Sequence, residues 1–329
     1  MATVPDASAA TAAGAEEELD AHRPALLGHC YRMLGSPFEA DDAVQESMLR
    51  AWRGLSRFEE RSDVSTWLYR IATNVCLDML KGRQRRAVPM DFGPAQAPVA
   101  ENLRTRPDAT WVEPIPGALV AEADPADTVV ASESITLAFI AALQQLPPRQ
   151  RAVLILSEVL RWKASEVAEL LETSVASVNS ALQRARTTLQ ARGVRRDDVT
   201  PSTQVADPEM LRRYVDAFQR YDLEALTAVI HEDATMSMPP YDMWLASRDD
   251  IFAWFYGPGI GCRGSRVVPV GTANGSPAFG QYKPSPNAVF DPWALKVIEV
   301  RGGRIQRFTF FLNTARLFPL FGLPPRLEA

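Results

Sequence analysis

The stretch that decides the fold runs from Ser165 to Leu189 and reads SEVAELLETSVASVNSALQRARTTL. Residues 165–171 and residues 176–189 both repeat apolar side chains at the spacing of an amphipathic helix. Only Glu172-Thr173-Ser174 separates them, which is the length of a tight turn. Two short helices joined by such a turn predict a helix-turn-helix, whose second helix enters the major groove of DNA.

The second of these helices is expected to have two different faces. Val178, Leu182 and Ala185 share one face, which we expect to pack on the preceding helix. The opposite face carries six polar residues: Ser177, Asn179, Ser180, Gln183, Arg184 and Arg186. Asn and Gln pair with adenine and Arg with guanine in the major groove, while Arg also holds phosphates. This face therefore predicts DNA binding; the alternative is an ordinary solvated face of a helical bundle.

The charge of the whole chain hides its distribution. There are 35 Lys and Arg against 40 Asp and Glu in 329 residues, a net charge of −5 that by itself disfavours a nucleic-acid partner. Residues 128–196, however, carry nine basic and five acidic side chains, and Lys81, Arg83, Arg85 and Arg86 cluster at the end of an earlier helical region. Positive charge is therefore concentrated where DNA contacts are expected.

Composition excludes several other classes of protein. Hydrophobic residues make up 47% of the chain, as in ordinary globular proteins. No run of 18 apolar residues occurs and no basic, apolar leader opens the chain, so we expect neither a membrane span nor a signal peptide. Three widely separated cysteines predict a cytoplasmic protein without disulfides. We also expect no cofactor and no metal site.

The chain is expected to be multidomain, because its composition changes several times. The predicted segments are a disordered tail at 1–17, an all-α domain at 18–86, an acidic Pro-rich linker at 87–127, an all-α helix-turn-helix domain at 128–196 and an α+β domain at 197–329. In the linker, Trp111 is a lone aromatic residue that either packs incidentally or docks on a neighbouring domain.

Two local patterns complete the fold prediction. In the first helical domain, Val44, Met48, Ala51 and Trp52 recur at helical spacing and are expected to form one buried stripe. In the last domain, β-branched and aromatic runs alternate with turns, and Asn274-Gly275 is a strong hairpin signal. We expect an antiparallel sheet with helices on one side.

Three motifs in order resemble those of bacterial sigma factors of the extracytoplasmic-function (ECF) type. The sequence DDAVQE at 41–46 resembles the region 2 motif that binds the polymerase clamp. The stretch from Phe58 to Asn74 resembles the promoter −10 segment, and LPPRQRAV at 146–153 with the helix-turn-helix resembles region 4. The resemblance implies a region 2 helical bundle, a region 4 helix-turn-helix, and a function in promoter recognition and melting.

The resemblance also implies site residues and partners. Region 2 would contact the −10 element through Phe58, Ser62, Trp67, Arg70, Asn74, Lys81 and Arg83. For Trp67, a stacking platform and a core position carry equal weight. Asp41, Asp42, Gln45 and Glu46 would bind the beta-prime clamp of RNA polymerase core, and the beta flap is a second expected contact. The six polar residues of the helix-turn-helix would read the −35 element. The alternative function is a ligand-responsive helix-turn-helix regulator that acts without polymerase.

The last domain resembles the SnoaL-like, cone-shaped α+β family, and the fusion resembles the SigG-type subgroup of ECF factors. The matching residues include Met238-Pro239-Pro240 and Arg248-Asp249-Asp250-Ile251. The resemblance implies a regulatory domain acting in cis, with Tyr241, Trp244, Trp254 and Phe255 around a pocket for a small apolar ligand; a filled core is the alternative. His231 and Asp233 sit where a polar loop enters a strand, so we do not expect an enzyme.

Overall fold

The computed structural model describes residues 19–55, 63–107, 111–120, 135–191, 207–286 and 289–328. They divide into two compact units. The helical unit lies within Met1–Arg85 and Ala118–Arg195, and the α+β unit lies within Arg86–Gly117 and Arg196–Ala329. The chain therefore starts in the helical unit, passes through the α+β unit, returns to the helical unit and ends in the α+β unit.

Within its described residues, the first helical part has three α-helices, as predicted: α1 (Arg23–Leu34), α2 (Pro37–Gly54) and α3 (Val64–Met79). The helix α1 ends because Gly35 adopts a left-handed conformation with φ of 72°. Ser36 and Pro37 then start α2, since proline suits the first helical position and the Ser36 hydroxyl accepts a bond from the Glu39 amide. Asp63 caps α3 in the same way through the Ser65 amide.

The second helical part consists of α4 (Leu137–Gln144), α5 (Pro148–Leu154) with a π-helical turn at Ile155–Val159, α6 (Ala164–Leu170) and α7 (Val175–Ala191). The helix-turn-helix prediction is confirmed by α6 and α7. The two helical parts share a core through Arg151, which is 2% exposed. Its guanidinium donates to the carbonyl of Met33 in α1 and to the Gln144 side chain at 2.6 Å.

The α+β unit contains four helices and a seven-stranded sheet among its described residues. The helices are α8 (Pro208–Arg220), α9 (Leu223–Val229), α10 (Arg248–Tyr256) and α11 (Thr314–Leu320). The strands are β1 (Ile230–Ser237), β2 (Trp244–Leu245), β3 (Arg266–Ala273), β4 (Ser276–Ser285), β5 (Val289–Arg301), β6 (Arg304–Phe311) and β7 (Leu327–Glu328).

The sheet has the order β2-β1-β6-β5-β4-β3, with β7 paired to β5. The Asn274-Gly275 hairpin is confirmed: both residues have positive φ and join β3 to β4. The expectation of a purely antiparallel sheet is wrong, because β1 pairs with β6 in parallel. The meander β3–β6 starts at the far edge, so its last strand meets β1 through a crossover that no hairpin signal reveals.

Residues 86–117, which we call the docked segment, pack on this α+β unit. Within the acidic Pro-rich linker predicted over 87–127, Trp111, Val112 and Ile115 are each no more than 3% exposed. A Cβ on Gly117 would lie 2.1 Å from the Thr272 hydroxyl, so glycine permits the closest approach. Of the two alternatives for Trp111, the structure shows docking.

Polar contacts anchor the docked segment along its length. The Trp244 indole donates to the Gly93 carbonyl at 2.9 Å, and the Arg106 guanidinium pairs with Asp242 at 2.9 Å. The Ile115 amide donates to the Asn274 side chain at 3.0 Å. Proline disfavours α-helices in this segment, where the structure has short 3-10 helices at Pro89–Asp91 and Ala100–Asn102. The backbone amides of Gln96 and Arg106 donate instead to the carbonyls of Trp244 and Pro240.

No helix in the described part of the chain is long and apolar enough to cross a membrane.

Candidate nucleic-acid interface and accessory cavity

The exposed face of α7 is the first candidate site. All six residues predicted for DNA reading are exposed: Ser177, Asn179, Ser180, Gln183, Arg184 and Arg186. On the opposite face, Val178 and Ala185 are buried, as the periodicity predicts. The Ser174 hydroxyl accepts a bond from the Ser177 amide at 3.1 Å and so caps the helix at its entry. This geometry holds α7 firmly from one side and leaves a polar ridge on the other.

The structure brings together only some of the residues predicted to contact the −10 element. Asn74 is exposed on α3, and Trp67 is half-buried, with its ring 3.2 Å from the place a Cβ on Gly54 would occupy. That close approach of α2 is a packing contact, which favours a core position over a free stacking platform. Phe58 and Ser62 lie outside the described residues.

Basic side chains near α3 are held by exposed ion pairs. Arg70 pairs with Glu169 of α6 at 2.8 Å, Lys81 with Asp78 at 2.7 Å and Arg83 with Glu39 at 2.7 Å. An exposed pair contributes about 1 kcal/mol or less, so phosphate groups can displace these carboxylates at little cost.

Arg86 is a correction to the predicted basic cluster. It is 7% exposed, donates to the Trp111 carbonyl and lies 3.6 Å from Glu113. Glu113 also lies 3.7 Å from Arg316, so it sits between two guanidinium groups. Arg86 is therefore a structural contact of the docked segment and not a phosphate ligand. The run of basic residues in the sequence cannot reveal that Arg86 is buried, because its partner Glu113 follows several prolines later in the chain.

The second helical part contacts α3 directly. Besides the Arg70–Glu169 pair, the Tyr69 ring meets the Trp162 ring edge-on at 5.8 Å between centroids. Tyr69 also lies edge-on to buried His29 at 5.2 Å. In this arrangement the turn before α6 covers part of the surface of α3.

The acidic face of α2 is the third candidate surface. Asp41, Asp42 and Gln45 are exposed and Glu46 is half-exposed; Gln45 donates to Asp41 at 2.7 Å. Trp52 is a correction: we expected it in the buried stripe with Val44, Met48 and Ala51, but it is 61% exposed. The helix turns Trp52 away from the core, onto the side that the acidic residues occupy.

Leu49 was missed by the sequence analysis. It is 53% exposed and lies four residues after Gln45 and three before Trp52, which places it between them on one helix face. In the sequence, the helical spacing of residues 42, 45, 49 and 52 was the signal that could have placed Leu49 on this face. Large apolar side chains exposed next to acidic ones are typical of a protein-binding surface.

A cavity of about 150 Å³ lies inside the α+β unit. Three of the four predicted pocket residues line it: Tyr241, Trp254 and Phe255. Trp244 does not, because its indole turns to the docked segment. The cavity argues against the alternative of a filled core.

The cavity offers no acid–base pair. Among its described lining residues there is no carboxylate and no imidazole. His231 accepts a bond from the Asp233 amide at 3.1 Å, and neither residue lines the cavity. Asp242, near the rim, is engaged by Arg106. No cluster of metal-ligating side chains occurs within the ranges that the structure covers.

Family models match three parts of the chain: Sigma-70 region 2 over residues 19–86, Sigma-70 region 4 over 136–189 and a SnoaL-like domain over 211–308. The ECF RNA polymerase sigma factor SigG of Mycobacterium tuberculosis is 41% identical over 93% of this chain and 83% of its own length. SigW of Bacillus subtilis is 28% identical over 52% of this chain and 84% of its own length. The crystal structure of M. tuberculosis SigJ matches with a TM-score of 0.61 and 23% identity, covering 94% of this chain and 99% of that one.

Proposed function

Since the chain belongs to the ECF RNA polymerase sigma factors, we propose that its three exposed helix faces divide the work of promoter recognition among them. As a sigma factor, it binds RNA polymerase core and promoter DNA, and the alternative of a regulator that acts without polymerase is not supported. In this proposal α7 reads the −35 element, α3 contacts the −10 element and α2 binds the beta-prime clamp. A contact of the second helical part with the beta flap completes the assignment.

The observation that carries this assignment is the composition of the exposed face of α7. Asn179, Gln183 and Arg184 project from one helix and are exposed among the described residues. Their amide and guanidinium groups provide the donors and acceptors that match base edges in the major groove. Arg186, whose partner Glu158 is exchangeable, suits a phosphate.

Contacts between the two helical parts affect how the −10 element can reach α3. Arg70 and Tyr69 of α3 are occupied by Glu169 and Trp162. In our proposal, DNA that approaches this surface of α3 displaces Glu169 from Arg70, and the second helical part moves away from Tyr69.

The C-terminal unit modulates this activity in cis, in our proposal, through the docked segment. The chain between α3 and α4 passes through the α+β unit, so residues 86–117 do not contribute free length to the connection between the helical parts. Releasing the docked segment would lengthen that connection. The cavity of the same unit is proposed to hold a small apolar ligand. No catalytic step is assigned to any residue.

Transcription by purified core polymerase tests the assignment. The full chain should bind core and produce a promoter-specific open complex, and Asn179→Ala with Gln183→Ala should lower promoter affinity by about tenfold or more, since each bidentate pair contributes about 1–3 kcal/mol. Failure of the full chain both to bind core and to yield a promoter-specific transcript would overturn the proposal.

The α2 surface has its own test. Trp52→Ala should weaken binding to core by about tenfold or more, because exposed Trp residues dominate protein interfaces. Leu223→Ala is the matched control, since Leu223 is also an exposed apolar residue at 44% but lies on the α+β unit. Equal core affinity for the two variants would remove Trp52 from the interface.

A further inference from the structure

The cavity of the α+β unit is closed on one side by the docked segment. Ala100 and Leu103, both in that segment, line it together with residues of the sheet and of α10. The deep wall is buried and consists of aromatic and thioether side chains, including Met236, Trp254 and Phe310. The site is therefore complete only when the docked segment is in place.

The polar groups of the cavity are cationic or neutral. Lys283 lines the half-exposed rim, where its ammonium nitrogen lies 3.0 Å from the centroid of the Trp293 ring and interacts with the Cys262 thiol. Among the described residues it has no carboxylate partner. A cation that lies against an aromatic face and a thiol gains a strong, charge-assisted bond when an anion arrives.

A second lysine lies behind the wall. Lys296 is fully buried, and its ammonium nitrogen is 3.1 Å from the centroid of the Phe218 ring and 5.1 Å from that of Phe310, both of which line the cavity. No carboxylate within the described residues pairs with it, and none lines the cavity. Because the described lining of the cavity contains no carboxylate, the rim ammonium of Lys283 is the group that favours a negative ligand.

The volume limits the size of the occupant. An apolar cavity of about 150 Å³ is large enough for one benzene ring. Aromatic and methionine walls pack well against a flat ring, and the rim cation lies at the end where a charged substituent would emerge.

We propose that this cavity binds a single-ring aromatic carboxylate, and that the bound molecule holds the docked segment on the α+β unit. The ring lies among Met236, Trp254 and Phe310, and the carboxylate meets Lys283. Because the molecule also contacts Leu103, it binds the docked form more tightly than the released form, and by linkage it shifts the population toward the docked form. The inference deepens the proposed ligand site and makes the linker part of it.

Calorimetric titration of the full chain tests the ligand class, with benzoate as probe and benzyl alcohol as its uncharged counterpart. Benzoate should bind saturably and about tenfold more tightly than benzyl alcohol, the effect of one charge-assisted bond. Lys283→Met should abolish this preference. Arg266→Met is the matched control, because Arg266 stacks on Phe290 at 4.3 Å in the same sheet but does not line the cavity.

A rim substitution provides a second variant that leaves the core intact. Ala100 and Ala97 are both exposed in the docked segment, and only Ala100 lines the cavity. Ala100→Asp should weaken benzoate binding through like-charge repulsion, whereas Ala97→Asp should not. Absence of saturable benzoate binding, or equal affinity for benzoate and benzyl alcohol in the unmodified chain, would overturn the ligand assignment.

Hydrogen exchange tests the coupling. Saturating benzoate should slow amide exchange in residues 86–107 and leave α7 unchanged, since α7 belongs to the other unit. Unchanged exchange in the docked segment at saturation would overturn the coupling. These outcomes are distinguishable from failure of the proposed function, because promoter-specific transcription without benzoate depends on the helix faces and not on the cavity.

Discussion

The helical unit buries Arg151 and the α+β unit buries Lys296, and the two cations are satisfied in opposite ways. Arg151 donates to four oxygen atoms: the carbonyls of Met33, Gln144 and Leu146 and the side chain of Gln144. Lys296 has one oxygen, the Tyr214 hydroxyl at 3.4 Å, and is otherwise surrounded by aromatic rings.

The difference reflects what each cation does in its unit. The acceptors of Arg151 lie at the C-terminal ends of α1 and α4, where helix carbonyls lack partners within the helix. Its guanidinium therefore joins the two helical parts. Burial lowers the pKa of Arg151 to about 10, which leaves it charged at neutral pH. Burial lowers the pKa of Lys296 well below its ordinary value, and no carboxylate among the described residues offsets this effect.

The largest expected effect is the loss of Arg151. Arg151→Met should lower the free energy of unfolding of the helical unit by about 3 kcal/mol or more, since several buried carbonyls lose their donor. Urea denaturation followed by helix-specific hydrogen exchange measures it. Arg149→Met is the control: Arg149 is exposed and makes a single long contact to the Leu171 carbonyl at 3.4 Å. Equal losses in the two variants would mean that Arg151 does not join the helical parts.

Lys296→Met should change the free energy of unfolding in the opposite direction. Replacing an unpaired buried cation with an apolar side chain of similar length should raise the free energy of unfolding of the α+β unit by about 1–2 kcal/mol. Because the lysine pKa is lower in the folded than in the unfolded chain, its destabilising effect is present below the folded pKa and disappears as pH rises toward about 10.5. The advantage of the variant should therefore shrink at high pH; a variant less stable than the unmodified chain at pH 7 would contradict this account.

Local signals account for what the sequence predicted correctly. The buried face of α7, the turn before it and the Asn274-Gly275 hairpin all depend on residues a few positions apart, where helical and strand periodicities apply. The six polar residues of α7 followed from the same periodicity, since the residues opposite a buried face must be exposed.

The errors concern contacts between residues that are distant in sequence. Periodicity placed Trp52 beside Ala51 in the stripe, although the helix core was already closed by smaller residues. Proline content identified residues 86–117 as nonhelical but could not show that Asp242 and Asn274 would bind them. The cavity was predicted from aromatic residues of the C-terminal domain alone, whereas Leu103 comes from the docked segment. Cys262 and Lys283 belong to the same domain as the aromatic residues but were not predicted to line the cavity.

The smallest expected effect concerns His29, which is buried in α1, the helix whose Met33 carbonyl accepts a hydrogen bond from Arg151. Its Nε2 atom lies 2.9 Å from the Thr73 hydroxyl. Burial, with a smaller effect from Arg32, lowers the pKa of His29 from 6.5 to about 3. Between these values the unfolded chain takes up a proton and the folded chain does not. The stabilising contribution of the uncharged His29 is therefore fully present above pH 6.5, and this contribution is lost as pH falls toward 3.

Between pH 6.5 and 5.5 few carboxylates titrate, so the contribution of His29 can be isolated there. The free energy of unfolding of the unmodified chain should fall by about 1 kcal/mol across this interval, within the limit of about 1.4 kcal/mol per pH unit for one proton. His29→Gln keeps a hydrogen-bonding group near Thr73 but does not titrate, so its curve should be flatter by that amount. Parallel curves would show that the interior of the helical unit admits a charged imidazole at His29, although Thr73 is its hydrogen-bond partner.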